Sequence, residues 1–228
     1  MASVTFDLAE TPLRQLNWYL HRELPPGDLH VTVNNPDGAH SIAVGVNAPI
    51  DIDIEGHAGY YAAGMNQLAR VTIHGNAGPA VAENMMSGRV HVMGFASVAA
   101  GASGQGGLLV IDGDASLRCG ISMKGIDIVV AGSVGDFSAF MAQEGRLVIC
   151  GDAGDALADS IYEAVIYLRG QAKSLGADAH EEPMTDADYA AVAGLLAAAG
   201  FKHDPREFRR IASMRSLYHW NADADQEY

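Results

Sequence analysis

Histidine, aspartate, glycine and cysteine stand in this chain at spacings that invite four kinds of chemistry. His57, His74 and His91 suggest a metal centre. A metal site needs three or four converging groups, and His74 and His91 lie diagonally in neighbouring repeats with no third ligand at a matching place. Surface imidazoles are the better account, and no metal is expected. Asp112, Asp114, Asp152 and Asp155 would suit a calcium site or an acid/base pair acting on a sugar. They sit beside turn glycines, where aspartate commonly binds backbone amides, and no aromatic platform accompanies them. Gly101–Gly107, GASGQGG, looks like a phosphate loop without the Gly-Lys-Ser/Thr ending or a following helix. The plainer reading is a coil face stripped of side chains, open to close approach by another backbone. Met85, Met86, Met123, Phe140 and Met141 lie along the same side, as core filling or as an adaptable contact surface. Cys119 and Cys150 have no histidine in the pattern to form a nucleophile pair and read as inert thiols. No catalytic residue is expected.

What positions these residues is a repeat. Glycine recurs at Gly56, Gly75, Gly94, Gly113, Gly132, Gly151 and Gly170, an unbroken spacing of 19. Two residues before these anchors stand Ile54, Ile73, Val92, Ile111, Val130, Ile149 and Leu168. Four before them stand Ile52, Val71, Val90, Leu109, Ile128, Leu147 and Ile166. All 14 are Val, Ile or Leu, types that fill only 47 of 228 positions. A spacing of two between apolar positions is the strand period. Nineteen residues are too few for a strand and a packed crossover helix, but suit one coil of a parallel β-helix. The fold expected is mainly β: a single-stranded parallel β-helix of about seven coils. The anchor glycines mark corners that need positive φ or have no room for a Cβ. Gly88, Gly107, Gly125 and Gly145 mark a second corner.

The outward columns change along the stack. Asp53, Thr72 and His91 are polar, whereas Val110, Val129 and Val148 form a patch that should not stay exposed. Either the chain's own C-terminal helices cover it or a partner does, so these valines are candidate interface residues. Residues 1–48 read as a cap of one helix and short strands. Thr11-Pro12 starts the helix, and His30–Val33 and Ser41–Val46 are the strands. Residues 49–173 are the β-helix. Residues 174–228 hold a polar linker, a helix opened by Thr185-Asp186-Ala187-Asp188, a second helix from Asp204-Pro205, and an acidic tail. Arg206, Arg209, Arg210 and Arg215 on that second helix are candidates to meet an anionic cofactor, the acidic linker or a subunit.

A formal charge of −14, from 28 acidic and 14 basic side chains, argues against a general nucleic-acid binder. Two cysteines give no disulfide framework, so a reducing cytoplasm is the expectation. No window approaches the apolar length of a membrane span.

The glycine-anchored coils resemble the β-helical third domain of glutamate synthase, named for its G-x-x-G-x-x-x-G repeats. Gly56/Gly59, Gly75/Gly78, Gly135 and Gly154 carry the likeness over roughly 50–172, and Ser97 and Ser116 depart from it. That domain also forms free subunits of N-methylglutamate synthase, and of formylmethanofuran dehydrogenase and its formyltransferase/hydrolase counterpart. The ending Arg215–Tyr228 looks most like the N-methylglutamate synthase subunit. The resemblance implies right-handed coiling and a role in methylamine metabolism. It also implies two partners, an amidotransferase-like subunit and a glutamate synthase-like subunit carrying FMN and iron–sulfur clusters. This chain would bind no cofactor itself and would act as a rigid spacer. Two other classes stand beside it: a free-standing interaction protein, and a β-helical acyltransferase. The latter is built on a period of 18, which the spacing of 19 opposes.

Overall fold

The computed structural model describes residues 2–214. Its strands are β1 (Ala2–Asp7), β2 (Leu29–Asn34), β3 (Asp51–Glu55), β4 (Arg70–Ile73), β5 (Arg89–Val92), β6 (Leu108–Ile111), β7 (Lys124–Val130), β8 (Glu144–Ile149), β9 (Val165–Leu168), β10 (Ala179–Glu182) and β11 (Arg209–Ser213). Helix α1 spans Leu13–Arg22 and α2 spans Asp186–Ala199. All the strands join one sheet in the order β1-β2-β3-β4-β5-β6-β7-β8-β9-β11-β10. From β1 to β9 every pairing is parallel, and from β3 to β9 each inward residue meets its equivalent one coil on, as in Ile52↔Val71 and Val71↔Val90. The protein is a parallel β-solenoid.

The two aliphatic columns form the core, and no member is more than 1% exposed. A second wall begins beyond the anchor glycine, where Ala58, Ala77, Ala96, Ala115, Val134, Ala153 and Ala172 link in a ladder of parallel bridges. The back of each coil has left-handed backbone at alternate residues, for example Tyr61, Ala63 and Met65 with φ of 60°, 52° and 53°. Such conformations cost roughly 1–2 kcal/mol per non-glycine residue. They are held because successive amides bond alternately to the coils on either side: Tyr61 N–H to the Pro79 carbonyl, Ala63 N–H to Ile42, Met65 N–H to Glu83.

The two glycine corners have different causes. A Cβ on Gly75 would lie 2.7 Å from the Gly56 carbonyl oxygen, so the anchor is glycine there for lack of space against the adjacent coil. Gly88 and Gly107 instead have φ of 79° and 84°, the left-handed region. Gly101–Gly107 is stripped of side chains to admit the chain's own: a Cβ on Gly104 would meet Ile126 at 2.8 Å, and one on Gly107 would meet Met85 at 2.7 Å. Met85 and Met123 are core, whereas Met86 and Met141 are exposed.

The ends depart from the sequence-based expectation. β1 lies outside the expected strands, and it extends the ladder below β2. Ser41–Val46 is not a strand: Ser41 and Ala43 have φ of 59° and 54° and build the back of a first coil. Helix α1 begins with Pro12 at the N-cap and no side-chain cap, so Thr11 does not serve as one. Residues of the expected polar linker continue the solenoid, with Leu175 bridged to Leu157 and β10 following. In place of the second C-terminal helix, a single 3-10 turn, Pro205–Glu207, leads into β11, antiparallel to β9 and β10. Arg215 and the acidic tail lie outside the described residues.

Candidate functional site

The outer face of the sheet divides into a covered half and an open half. Over β6–β9 it is covered by α2, whose Val192, Leu195, Leu196 and Ala199 pack with Val110, Val129, Val148, Cys150, Tyr167 and Phe208. The three valines are fully buried. As interface candidates they are corrected: the chain's own helix takes the apolar column, leaving none of it for a partner. The helix is fixed by a capping box between Thr185 and Asp188 and by the Tyr167 hydroxyl, which donates to Asp188 Oδ1 at 2.7 Å. Burial pushes Asp188 upward, but bonds from Thr185 and Tyr167 together hold its carboxyl below the usual value. Burial and the adjacent Asp188 raise the Tyr167 phenol.

The arginines of β11 are likewise engaged within the chain. Arg209 pairs with Glu181 at 2.6 Å, and Arg210 pairs with Glu182 and with Asp188, the latter at 3.3 Å. Arg169 of the last coil meets Glu207 at 2.5 Å. Of the three alternatives open for these residues, Arg209 and Arg210 take the acidic segment 181–182. Arg206 is exposed.

The open half, β2–β5, is charged. Asp53 accepts from His74 at 2.8 Å and faces His30 at 3.2 Å; His91 meets Asp112 at 2.8 Å. The two histidines of neighbouring coils thus turn to separate carboxylates, and His57 uses Nδ1 to accept the Asn76 amide. Among the described residues no three His, Cys, Asp or Glu side chains form a group able to hold a metal. Arg70 and Arg89 stack in register on this face. They share a cleft of about 280 Å³ with His30, Asp51, Asp53 and Thr72. Sequence reasoning misses these arginines, because the inward positions carry the periodic signal and an outward charge gives none.

Turn aspartates act on backbone. Asp114 accepts the Ser133 amide, Asp152 the Gln171 amide, and Ser133 Oγ the Asp152 amide, at 2.7–3.0 Å. Asn76 does the same for Phe95 at 3.1 Å. Phe95 interrupts this ladder and is 51% exposed. Beyond it an apolar column crosses four successive coils: Tyr60, Pro79, Val98 and Leu117, the first and last 48% and 45% exposed. Cys119 sits in the core and Cys150 under α2. Burial raises their thiols to about 12 and about 11, which keeps both in the unreactive protonated form at neutral pH.

The chain matches no protein-family model and no solved structure. Over 58 residues it is 54% identical to Protein GlxC of Rhizobium meliloti (strain 1021), a partial homologue. The match spans a quarter of this chain and a quarter of that protein. No helix among the described residues is long and apolar enough to cross a membrane.

Proposed function

We propose that this chain is a non-catalytic scaffold subunit of a glutamate synthase-like complex, most like N-methylglutamate synthase. That enzyme converts L-glutamate and methylamine to N-methyl-L-glutamate and ammonia. The solenoid braces an amidotransferase-like subunit against a subunit holding FMN and iron–sulfur clusters, and so fixes the separation of two active sites. The observation that carries this reading is the rigid stack of 19-residue coils, which bears an apolar column across four of them, exposed at Tyr60, Pro79 and Leu117 and half-buried at Val98. Such a ladder presents side chains at about 4.8 Å intervals along one straight edge, a geometry suited to a partner. The partial homologue GlxC fits a glutamate synthase-related subunit, over a short stretch.

Iron–sulfur clusters require several converging thiolates. The two cysteines here are buried in separate clusters of the core and raised well above neutrality, which supports a reading in which the iron–sulfur clusters belong to the partner. Reconstitution tests the role: the other two subunits are assayed for glutamate- and methylamine-dependent synthesis with and without this chain. The reading expects coupled synthesis to depend on it. Full synthesis in its absence would sink the scaffold role.

A further inference from the structure

On the open half of the sheet Asp53 and Asp112 pair with histidines, but Arg70, Arg89 and Asp51 form no ion pairs among the described residues. Asp51, Arg70 and Arg89 occupy one outward column in consecutive coils. Among the described residues neither guanidinium has a carboxylate within ion-pair distance. Two arginines stacked one strand spacing apart repel each other. Burial and the neighbouring Arg70 charge hold the Arg89 guanidinium below its usual value, with Asp112 acting the other way. Arg89 is oriented from above, since one of its nitrogens donates to the Ala198 carbonyl at 2.6 Å, at the C-terminal turn of α2. The helix end thereby fixes an arginine that lines the 280 Å³ cleft. A second cavity of about 300 Å³ adjoins it through Asp51 and Arg70 and is lined also by Leu29, Pro49 and Leu68.

The cleft thus has two cations, Arg70 and Arg89, and two carboxylates, Asp51 and Asp53, of which Asp53 is engaged by His30 and His74, with the Thr72 hydroxyl next to Asp53 in its column. A simple anion would meet the carboxylates unfavourably, and a simple cation would meet the arginines. A neutral dipolar molecule satisfies both. We infer that this cleft is a binding site for a small zwitterion of the amino-acid class. Its carboxylate is held by Arg70 and Arg89, its ammonium by Asp51, which lines both cavities, and its side chain is directed toward Leu68 and Pro49. The guanidinium fork is the group best matched to a carboxylate. The inference does not depend on membership of a complex, because it uses only groups of this chain.

The test is titration of the isolated full-length chain with each of the twenty L-amino acids, followed by NMR of the arginine side-chain N–H signals. At least one amino acid is expected to saturate, with a Kd below about 10 mM, the affinity of a few polar contacts. Its desamino analogue, which keeps the carboxylate alone, should bind at least about tenfold more weakly. Arg70→Gln should weaken binding by a similar factor, while Arg206→Gln, on the exposed 3-10 turn, leaves it unchanged. Asp51→Asn should bring zwitterion and desamino analogue closer to equal affinity, which keeps the test sharp if Arg70→Gln misfolds. No saturation by any amino acid, equal binding of the desamino analogue to the unaltered chain, or indifference to both variants would overturn the assignment.

Discussion

Phe95 shows most clearly how a single residue departs from the rule of the fold. At equivalent positions one residue past the corner glycine, His57, Asn76, Asp114, Ser133 and Asp152 each accept the amide of the next coil. A phenyl ring cannot, and at 51% exposure it gains little from burial. Phe95→Asn should complete the ladder and stabilise the chain by about 0.5–1.5 kcal/mol, one net hydrogen bond, read as a higher urea midpoint at unchanged slope. If Phe95 serves an interface, the same variant should loosen the assembly, a stability–function trade. A lower midpoint would show that the ring contributes to the fold. The turn aspartates are legible in the sequence as amide acceptors because their chemistry is local. Arg70 and Arg89 are not, since nothing local distinguishes an arginine that lines a cleft from one on a solvated face.

Among the elements, α2 carries the clearest consequence. The apolar column Val110–Val129–Val148 calls for a cover, and the capping signal Thr185-x-x-Asp188 locates the helix that supplies it. Asp188 caps that helix together with Thr185 and ties it to the sheet through Tyr167 and Arg210. Its folded pKa is lowered, so its contribution is present above the unfolded value, near 3.9, and is lost as pH falls through the folded one. Asp188→Asn should therefore cost about 1–3 kcal/mol at neutral pH, and the difference from the unaltered chain should shrink as urea unfolding is repeated below about pH 4. A difference constant from neutral pH down to about pH 2 would contradict that account. The terminal elements are harder to read. Segment 41–46 alternates like a strand, yet its backbone is left-handed at Ser41, Ala43 and Gly45. Alternation reports which side chains face inward and not the backbone that places them. Helix α1 caps the lower end with Asn17, whose side-chain amide donates to the Ser41 carbonyl at 2.9 Å and accepts from the Ala43 N–H at 3.1 Å. It thereby replaces the missing coil beneath, a role invisible without the coil. β11 reads as helix in the sequence because Asp204-Pro205 opens a turn of either kind, and only pairing with the free edge of β9 decides it.

At the scale of the whole molecule, β2–β9 form eight parallel rungs about 34 Å from first to last. That rod is legible because its period is strict: two inward columns, one corner glycine, one spacing of 19. The lowest rungs escape because the period fails there. Val31 pairs with Ile52, and Val4 pairs with Val31 across the inserted α1, so neither step keeps the spacing of the coils above. A rod that is sealed by its own helix on one face and apolar along another edge is suited to hold other chains apart. The most direct measurement is affinity purification of this chain from its native cells, with native mass and an absorbance spectrum of what accompanies it. The account predicts a yellow-brown heteromeric assembly containing an amidotransferase-like and a flavin-binding subunit, active with methylamine. A lone colourless monomer would contradict it, and a colourless complex with a metal-dependent hydrolase and a formyltransferase would replace it.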